Sequence, residues 1–271
     1  MRLSNSKTDR LLIKKKGVTN LTQIKHKVAL VTGASNQKDI GTAICRQLAS
    51  QGFDLFFTHW KAEPAWIEEF HQELKRTGVN SGSAEIDLSE ADAAFLVLEA
   101  VQSTLGLPSI LVNNAAHSVR DGYRELDARV LDEHYQVNMR ATFLFSVEFA
   151  RRFEASGAES GRIINLTSGQ DLGPMPGELA YAATKGAISA FTKSLSAELA
   201  PISITVNAVN PGPTDSTWMN EAIRQHLLPK FPMGRIGQPS DVAKLIGFLA
   251  SDEAEWITGQ VIHSEGGFLR G

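Results

Sequence analysis

From residue 27 onward, runs of apolar residues alternate with stretches in which apolar side chains recur at helical spacing. Residues 27–32 (KVALVT) read as a buried strand, and 40–51 as a helix stopped by Gly52. Residues 53–58 (FDLFFT) read as a second strand, and 65–76 as an amphipathic helix followed by Gly78. A short strand over 83–86 precedes a helix over 89–105, with Ser89 as its candidate cap. Residues 109–113 (SILVN) make the next strand and 127–155 a long helical stretch. The remaining pattern is a strand at 162–166, a helix at 179–200, a strand at 203–209, a helix at 241–250 and a strand at 260–263. Strands that are apolar almost throughout require cover on both sheet faces. Their alternation with helices predicts parallel pairing through right-handed crossovers. The expectation is an α/β fold: one doubly wound parallel sheet with helices on both faces, without internal repeat or linker.

Composition sharpens this picture. The chain has 271 residues, 42% of them hydrophobic, enough for one large α/β domain. The first 26 residues differ, with seven Lys or Arg against one acid, Asp9. They carry +6, so the rest of a chain of total charge −3 carries −9. The expected division is a basic extension over 1–26 and a catalytic domain over 27–271. An acidic body argues against a nucleic-acid surface. No apolar run approaches the roughly 18 residues that span a bilayer. The apolar part of the arm is too short for a secretory signal. The single cysteine, Cys45, lies in the apolar rhythm of the first helix and reads as a buried small hydrophobe. One cysteine suits a reducing compartment, so a cytoplasmic protein is expected.

In such a sheet, ligands bind at the carboxyl ends of the strands. The first of these ends reads VTGASNQKDIGTAI, from Val31 to Ile44. It predicts a strand, a glycine turn and a helix, the arrangement that receives a dinucleotide pyrophosphate. The loop is lengthened: after Gly33 come two extra residues, then Asp39 where a glycine is usual, then Ile40 and Gly41. Asp39 precedes the helix, where a carboxylate is expected to cap free N–H groups and suit the helix dipole.

A lone Tyr-x-x-x-Lys is a weak signal, and its bland reading is a pair on one helix face. Here Tyr181–Lys185 (YAATK) has company. Ser168 ends RIINLTS, thirteen residues earlier, and NNAA (113–116) follows the middle strand. Asn138 lies in the long helical stretch, and Pro211, Gly212 and Thr214 follow SITVNAV. ITG (257–259) and Gly266–Gly267 close the chain. This set, in this order, resembles the short-chain dehydrogenase/reductase family over residues 27–268. The resemblance implies a Rossmann-type fold and a catalytic set of Asn138, Ser168, Tyr181 and Lys185. Tyr181 would be the general acid of carbonyl reduction, and Ser168 would polarise the substrate oxygen. Lys185 would lower the tyrosine pKa and hold the nicotinamide ribose. Asn138 would fix a water linking Lys185 to solvent. A cofactor-binding regulator without activity is the alternative class, opposed by the completeness of the four.

Lengthened loops are familiar in the family's enoyl reductases, which space tyrosine and lysine by six residues. That place is Ile188 here, while Lys185 fits the ketoreductase spacing. The cofactor cradle implied by the resemblance comprises Gly33, Ser35, Asn36, Lys38, Ile40, Gly41, Asp87, Leu88, Asn114, Ala115, Ala116, Tyr181, Lys185, Pro211, Gly212 and Thr214. An acid after the second strand would read the ribose of NAD; Thr58, His59 and Lys61 stand there instead. With Asn36 and Lys38, they make NADP(H) the expected cofactor. Asp54 falls too early in its strand to take part.

The substrate is expected under residues 213–235, an apolar lid holding Trp218, Met219, Leu227, Leu228, Phe231 and Met233. A small-molecule ketone or its alcohol fits such a lid, and an acyl thioester is the second choice. The C-terminal third resembles 3-oxoacyl-acyl-carrier-protein reductases. Ala197 and Glu198 oppose carrier docking, for which Arg151 and Arg152 are candidates. Small residues at Gly186, Ala187, Ala190 and Ser194 predict a homotetramer or homodimer. His59 and His117 lack companions for a metal.

Overall fold

The computed structural model describes residues 27–270. The basic arm over 1–26 lies outside the described residues. Seven strands form one sheet: β1 (Val28–Val31), β2 (Asp54–His59), β3 (Ser81–Glu85), β4 (Pro108–Asn113), β5 (Gly161–Leu166), β6 (Ile204–Asn210) and β7 (Val261–His263). Their order is β3-β2-β1-β4-β5-β6-β7, and every neighbouring pair is parallel. The order reverses between β1 and β4, which opens a crevice at their carboxyl ends.

Side chains alternate across the sheet, so β1, β2, β4, β5 and β6 each feed two cores. Ala29 and Val31 of β1 enter a core under α1 (Ile40–Ser50), α2 (Pro64–Arg76) and α8 (Pro239–Ala250). Val28 and Leu30 enter the opposite core, under α3 (Ala93–Thr104), α5 (Thr142–Ser156) and α6 (Leu179–Leu199). Phe145, Phe149 and Phe153 of α5 fill that second core and are almost fully buried. Burial of one such ring contributes roughly 1.5–3 kcal/mol. Cys45 is buried in the first core, and burial pushes its thiol pKa up. It is a packing residue, as its apolar setting predicts.

Three elements depart from expectation. The helix expected from 89 begins at Ala93, with Asp92 at its cap position. Ser89 does not cap it; its N–H donates to the Asp87 carboxylate at 2.8 Å in the preceding turn. The long stretch is not one helix. It is α4 (Ala128–His134), a π-helical segment Tyr135–Ala141 and α5, ended by Gly157 at φ 70°. The lid contains a short helix α7 (Glu221–Leu227), which the apolar residues scattered through 213–235 do not announce. Asn220 caps it by accepting the Ile223 N–H at 3.0 Å.

Candidate active site

The carboxyl ends of β1, β4, β5 and β6 surround the crevice. Gly33 follows β1 at φ 77°, and a Cβ there would collide with Ala115. A Cβ on Gly41 would collide with the Gly33 carbonyl and the Asn114 amide. These two glycines are therefore required by close backbone approach, the feature that lets a pyrophosphate reach main-chain N–H groups. Asn114 clasps the turn from β4, donating to the carbonyls of Thr32 at 2.9 Å and Gly33 at 2.8 Å. Asn113 points the other way, into a buried ladder with Ser146 and Asn165 that ties α5 to the sheet.

Asp39 does not cap α1. Its carboxylate turns back and accepts the N–H groups of Ser35 at 2.9 Å and Asn36 at 3.0 Å. The Asn36 side-chain amide also donates to it at 2.8 Å. The two extra residues make a loop wide enough for this inward turn. Burial holds the Asp39 pKa above the ordinary carboxylate value, opposed by those hydrogen bonds and by one from Thr217 of the lid.

The four expected catalytic residues meet at the ends of β4 and β5. Tyr181 is the third residue of α6, and Lys185 stands one turn further on. The Ser168 side chain lies beside the Tyr181 phenol, where it favours the ionised form of that group. The Lys185 Nζ lies 5.5 Å from the centre of the Tyr181 ring and donates to the Leu166 carbonyl at 2.8 Å. Asn138 is fully buried in the π segment. It accepts the His117 N–H at 2.6 Å and donates to the His117 carbonyl at 2.9 Å and to Thr184 Oγ1 at 3.1 Å. A π turn at a functional residue is a common device for aiming it.

One expectation fails in direction. The ammonium does not lower the phenol pKa here. Burial pushes Tyr181 up to about 12, with Glu178 adding to the rise and the Ser168 hydrogen bond opposing it. Burial brings Lys185 down to about 8. Burial thus favours the neutral form of both groups.

A family model described as Enoyl-(Acyl carrier protein) reductase matches residues 33–269. The chain belongs to the short-chain dehydrogenase/reductase family. It is 69% identical over 251 residues to the Bacillus subtilis protein named Uncharacterized oxidoreductase YjdA, covering 93% of this chain and 100% of that one. It is 39% identical to the 3-oxoacyl-[acyl-carrier-protein] reductase FabG of Pseudomonas aeruginosa, covering 89% and 96%. Among solved structures it is similar to the acetoin dehydrogenase YohF of Salmonella typhimurium, with TM-score 0.79, 32% identity and coverage of 90% and 96%.

In this short-chain dehydrogenase/reductase the strand ends that would meet an adenosine differ from the sequence reading. Thr58 is buried, and its hydroxyl accepts the Gly33 N–H at 3.1 Å. The Asn36 side chain is used within its own loop, accepting the Lys38 N–H at 2.9 Å. Lys38 faces a groove of about 620 Å³ between α1 and α8, with Arg46, Asp215 and Arg224. That leaves His59 and Lys61 as the groups near the end of β2. His59 Nδ1 is buried without a partner, and burial lowers the ring's pKa. Lys61 lies over the Trp60 ring at 5.4 Å. The sequence reading missed Glu85. Register pairs it with His59, and its carboxylate accepts the Lys61 N–H at 3.2 Å.

The remaining expected residues lie in the segments that follow β1, β3, β4 and β6. Ser35 Oγ accepts the Trp60 N–H at 3.1 Å. Ile40 opens α1, and Asp87 and Leu88 follow β3. Ala115 donates its N–H to Thr32 Oγ1 at 3.1 Å, and Ala116 follows it. Pro211, Gly212 and Thr214 follow β6, where the Thr214 hydroxyl reaches the carbonyls of Pro211 and Gly212, each at 3.2 Å. Asp54 caps the turn before β3 by accepting the Asn80 N–H at 2.8 Å. In the lid, Met219 and Phe231 pack a small core of their own with Ile236, while Trp218, Leu228 and Met233 are exposed. Among the described residues no His, Cys, Asp and Glu group has the makings of a metal site. No described helix is long and apolar enough to cross a membrane.

Proposed function

We propose that this protein reduces a small-molecule ketone to its secondary alcohol with NADP(H), using Tyr181 as general acid. The observation that carries the reading is the convergence of Ser168, Tyr181 and the buried Lys185, whose ammonium stands 5.5 Å from the centre of the tyrosine ring. The cofactor fit rests on the glycine turn after β1, where the absence of Cβ atoms at Gly33 and Gly41 lets the main chain pack closely against Ala115 and Asn114. Gly33, Ser35, Ile40, Gly41, Asn114, Ala115, Ala116, Pro211, Gly212 and Thr214 would hold the cofactor, and Asp87 and Leu88 would serve its adenine. A bound nicotinamide supplies hydride to the carbonyl carbon.

The chain's own residues do the rest. Ser168 donates to the carbonyl oxygen and polarises it. Tyr181 gives that oxygen its proton, a contribution of about 10²–10⁴-fold. Lys185 binds the nicotinamide ribose and returns a proton to Tyr181. Asn138, with both amide N–H groups already engaged, keeps one oxygen lone pair for the water that resupplies Lys185.

The tyrosine–lysine spacing and Ser168 support carbonyl rather than double-bond reduction, despite the enoyl-reductase description of the matching family model. A 3-oxoacyl-acyl-carrier-protein substrate is the second reading, favoured by the Pseudomonas relative. Against it, Arg152 is committed to Glu148 at 2.8 Å and to Glu99, which leaves exposed Arg151 as the docking candidate. The exposed Ala190 and Ser194 on α6 support pairing of two copies into a dimer or tetramer. A cytoplasmic location completes the reading. The test is NADPH oxidation against a panel of ketones, vicinal diketones and a 3-oxoacyl thioester. No oxidation with any of them overturns the proposal.

A further inference from the structure

The first turn of α6 carries Tyr181, yet its own cap position does nothing for it. Glu178 stands there and makes no capping hydrogen bond with its side chain. Helix ends with unsatisfied N–H groups fray, and a residue three positions in frays with them. The missing cap comes from elsewhere in the chain. Asp121, in the loop after β4, is buried to 8% exposure. Its two carboxylate oxygens accept the N–H groups of Leu179 at 2.6 Å and Ala180 at 2.9 Å. Its own N–H donates to the Gly177 carbonyl at 2.9 Å, closing a clamp around the start of the helix. Arg120 beside it reaches Glu178 at 3.4 Å.

The same loop is tied to the rest of the site. His117 brackets Asn138 with its N–H and carbonyl. Val119 donates its N–H to Nε2 of buried His134 at 3.2 Å, and the other ring nitrogen meets the Val130 carbonyl at 2.8 Å. One continuous segment thus runs from the Asn138 side chain to the N-terminus of the tyrosine helix.

We propose that Asp121 is a positioning residue for the proton donor: its carboxylate caps α6 in trans along the chain and holds Tyr181 against Ser168. Lys185 does not depend on this clamp. It lies a turn deeper and has its own anchor at Leu166. The inference rests on Tyr181 being the acid, and it divides the two residues: the clamp serves proton transfer and leaves ribose binding alone.

The test compares Asp121→Ala and Asp121→Asn with the parent. Asparagine keeps one acceptor oxygen, so it can satisfy one of the two N–H groups but not both. In the alanine variant, amide exchange at Leu179, Ala180 and Tyr181 should rise about tenfold, equivalent to about 1.4 kcal/mol. Exchange over 188–196 should stay unchanged. The kcat for the best ketone should fall about tenfold to a hundredfold, with the NADPH dissociation constant unchanged. Asp121→Asn, which restores one of the two bonds, should fall between alanine and the parent. Unchanged exchange, or faster exchange with unchanged kcat, overturns the proposal. So does a loss spread through α6 together with cofactor binding, because that is general destabilisation. If no ketone is reduced by the parent, the proposed function fails but the clamp is still read. Tyr181 is then titrated by tyrosinate absorbance in a background with Tyr123→Phe and Tyr135→Phe. Asp121→Ala should lower its midpoint from about 12 toward the ordinary value, since fraying admits water to a phenol whose pKa burial raises. An unmoved midpoint overturns the positioning role.

Discussion

The Lys185 ammonium stands 5.5 Å from the centre of the Tyr181 ring but gives its hydrogen bond to the Leu166 carbonyl, at 2.8 Å. The two residues are neighbours without being a bonded pair. Their functions therefore separate. Tyr181→Phe should lower kcat by at least about 10²-fold and leave NADPH binding intact. Lys185→Ala should weaken both. Stopped-flow turnover with fluorescence titration of the cofactor separates the two effects. A phenylalanine variant that keeps a tenth of the parent rate would remove Tyr181 from the acid role.

The same pair makes stability depend on pH in two opposite ways. Lys185 is lowered in the folded protein to about 8, so its contribution is complete above the unfolded value near 10.5 and is lost as pH falls through 8. Tyr181 is raised to about 12, so its contribution is complete below 10 and is lost as pH rises through 12. For these two groups the sum is greatest near pH 10. Lys185→Met should remove the lower limb: the rise in Tm between pH 7 and 9.5 should flatten relative to the parent. An identical rise in both proteins would show that Lys185 does not contribute it.

Cofactor preference should be modest and should answer to Glu85. NADPH should be used about tenfold better than NADH by kcat/KM, the effect of about one charge-assisted hydrogen bond from Lys61 to the extra phosphate. Glu85→Gln should widen the gap, because it removes repulsion of that phosphate and an acceptor for the NAD ribose. If the ratio does not move, Glu85 does not face the ribose. Thr58 is the wrong place for such a test, since its buried hydroxyl holds the Gly33 N–H.

Gly41→Ala should abolish cofactor binding while leaving most of the fold. The added methyl meets the Gly33 carbonyl and the side-chain amide of Asn114, which is pinned to the Thr32 and Gly33 carbonyls, so the loop must open. Isothermal titration with NADPH reads the loss and circular dichroism reads the fold. Binding within threefold of the parent would mean the loop tolerates the strain.

Two copies or four should be found in solution. Ala190 and Ser194 leave the outer face of α6 flat, and Phe143 and Phe191 stack beside it with centroids 3.8 Å apart. Light scattering that returns a monomer at micromolar concentration rejects this.

What the sequence discloses here depends on distance along the chain. The strands of the sheet were legible because parallel strands buried on both faces are apolar throughout, as in β5 and β6. Tyr181 and Lys185 were legible because residues four apart on a helix share a face and because Ser168 and Asn138 accompany them in order. Glu85 was not: it reaches His59 only through strand register, which periodicity does not encode. Asp121 caps residues 58 and 59 positions away, so no local motif marks it. Asp39 was read as a cap from its place before α1, but the lengthened loop gave its carboxylate nearer donors behind it.

The π turn over Tyr135–Ala141 has a further consequence. A helix advances about 100° per residue, so one surplus residue shifts the phase of everything beyond it by about that angle. α4 and α5 are thus two gears on a common shaft, set out of step by the turn that carries Asn138. Deleting a single residue there would not shorten the helix quietly. It would swing either Asn138 away from His117 or the three phenylalanines of α5 out of the core, and the protein would have to give up one or the other.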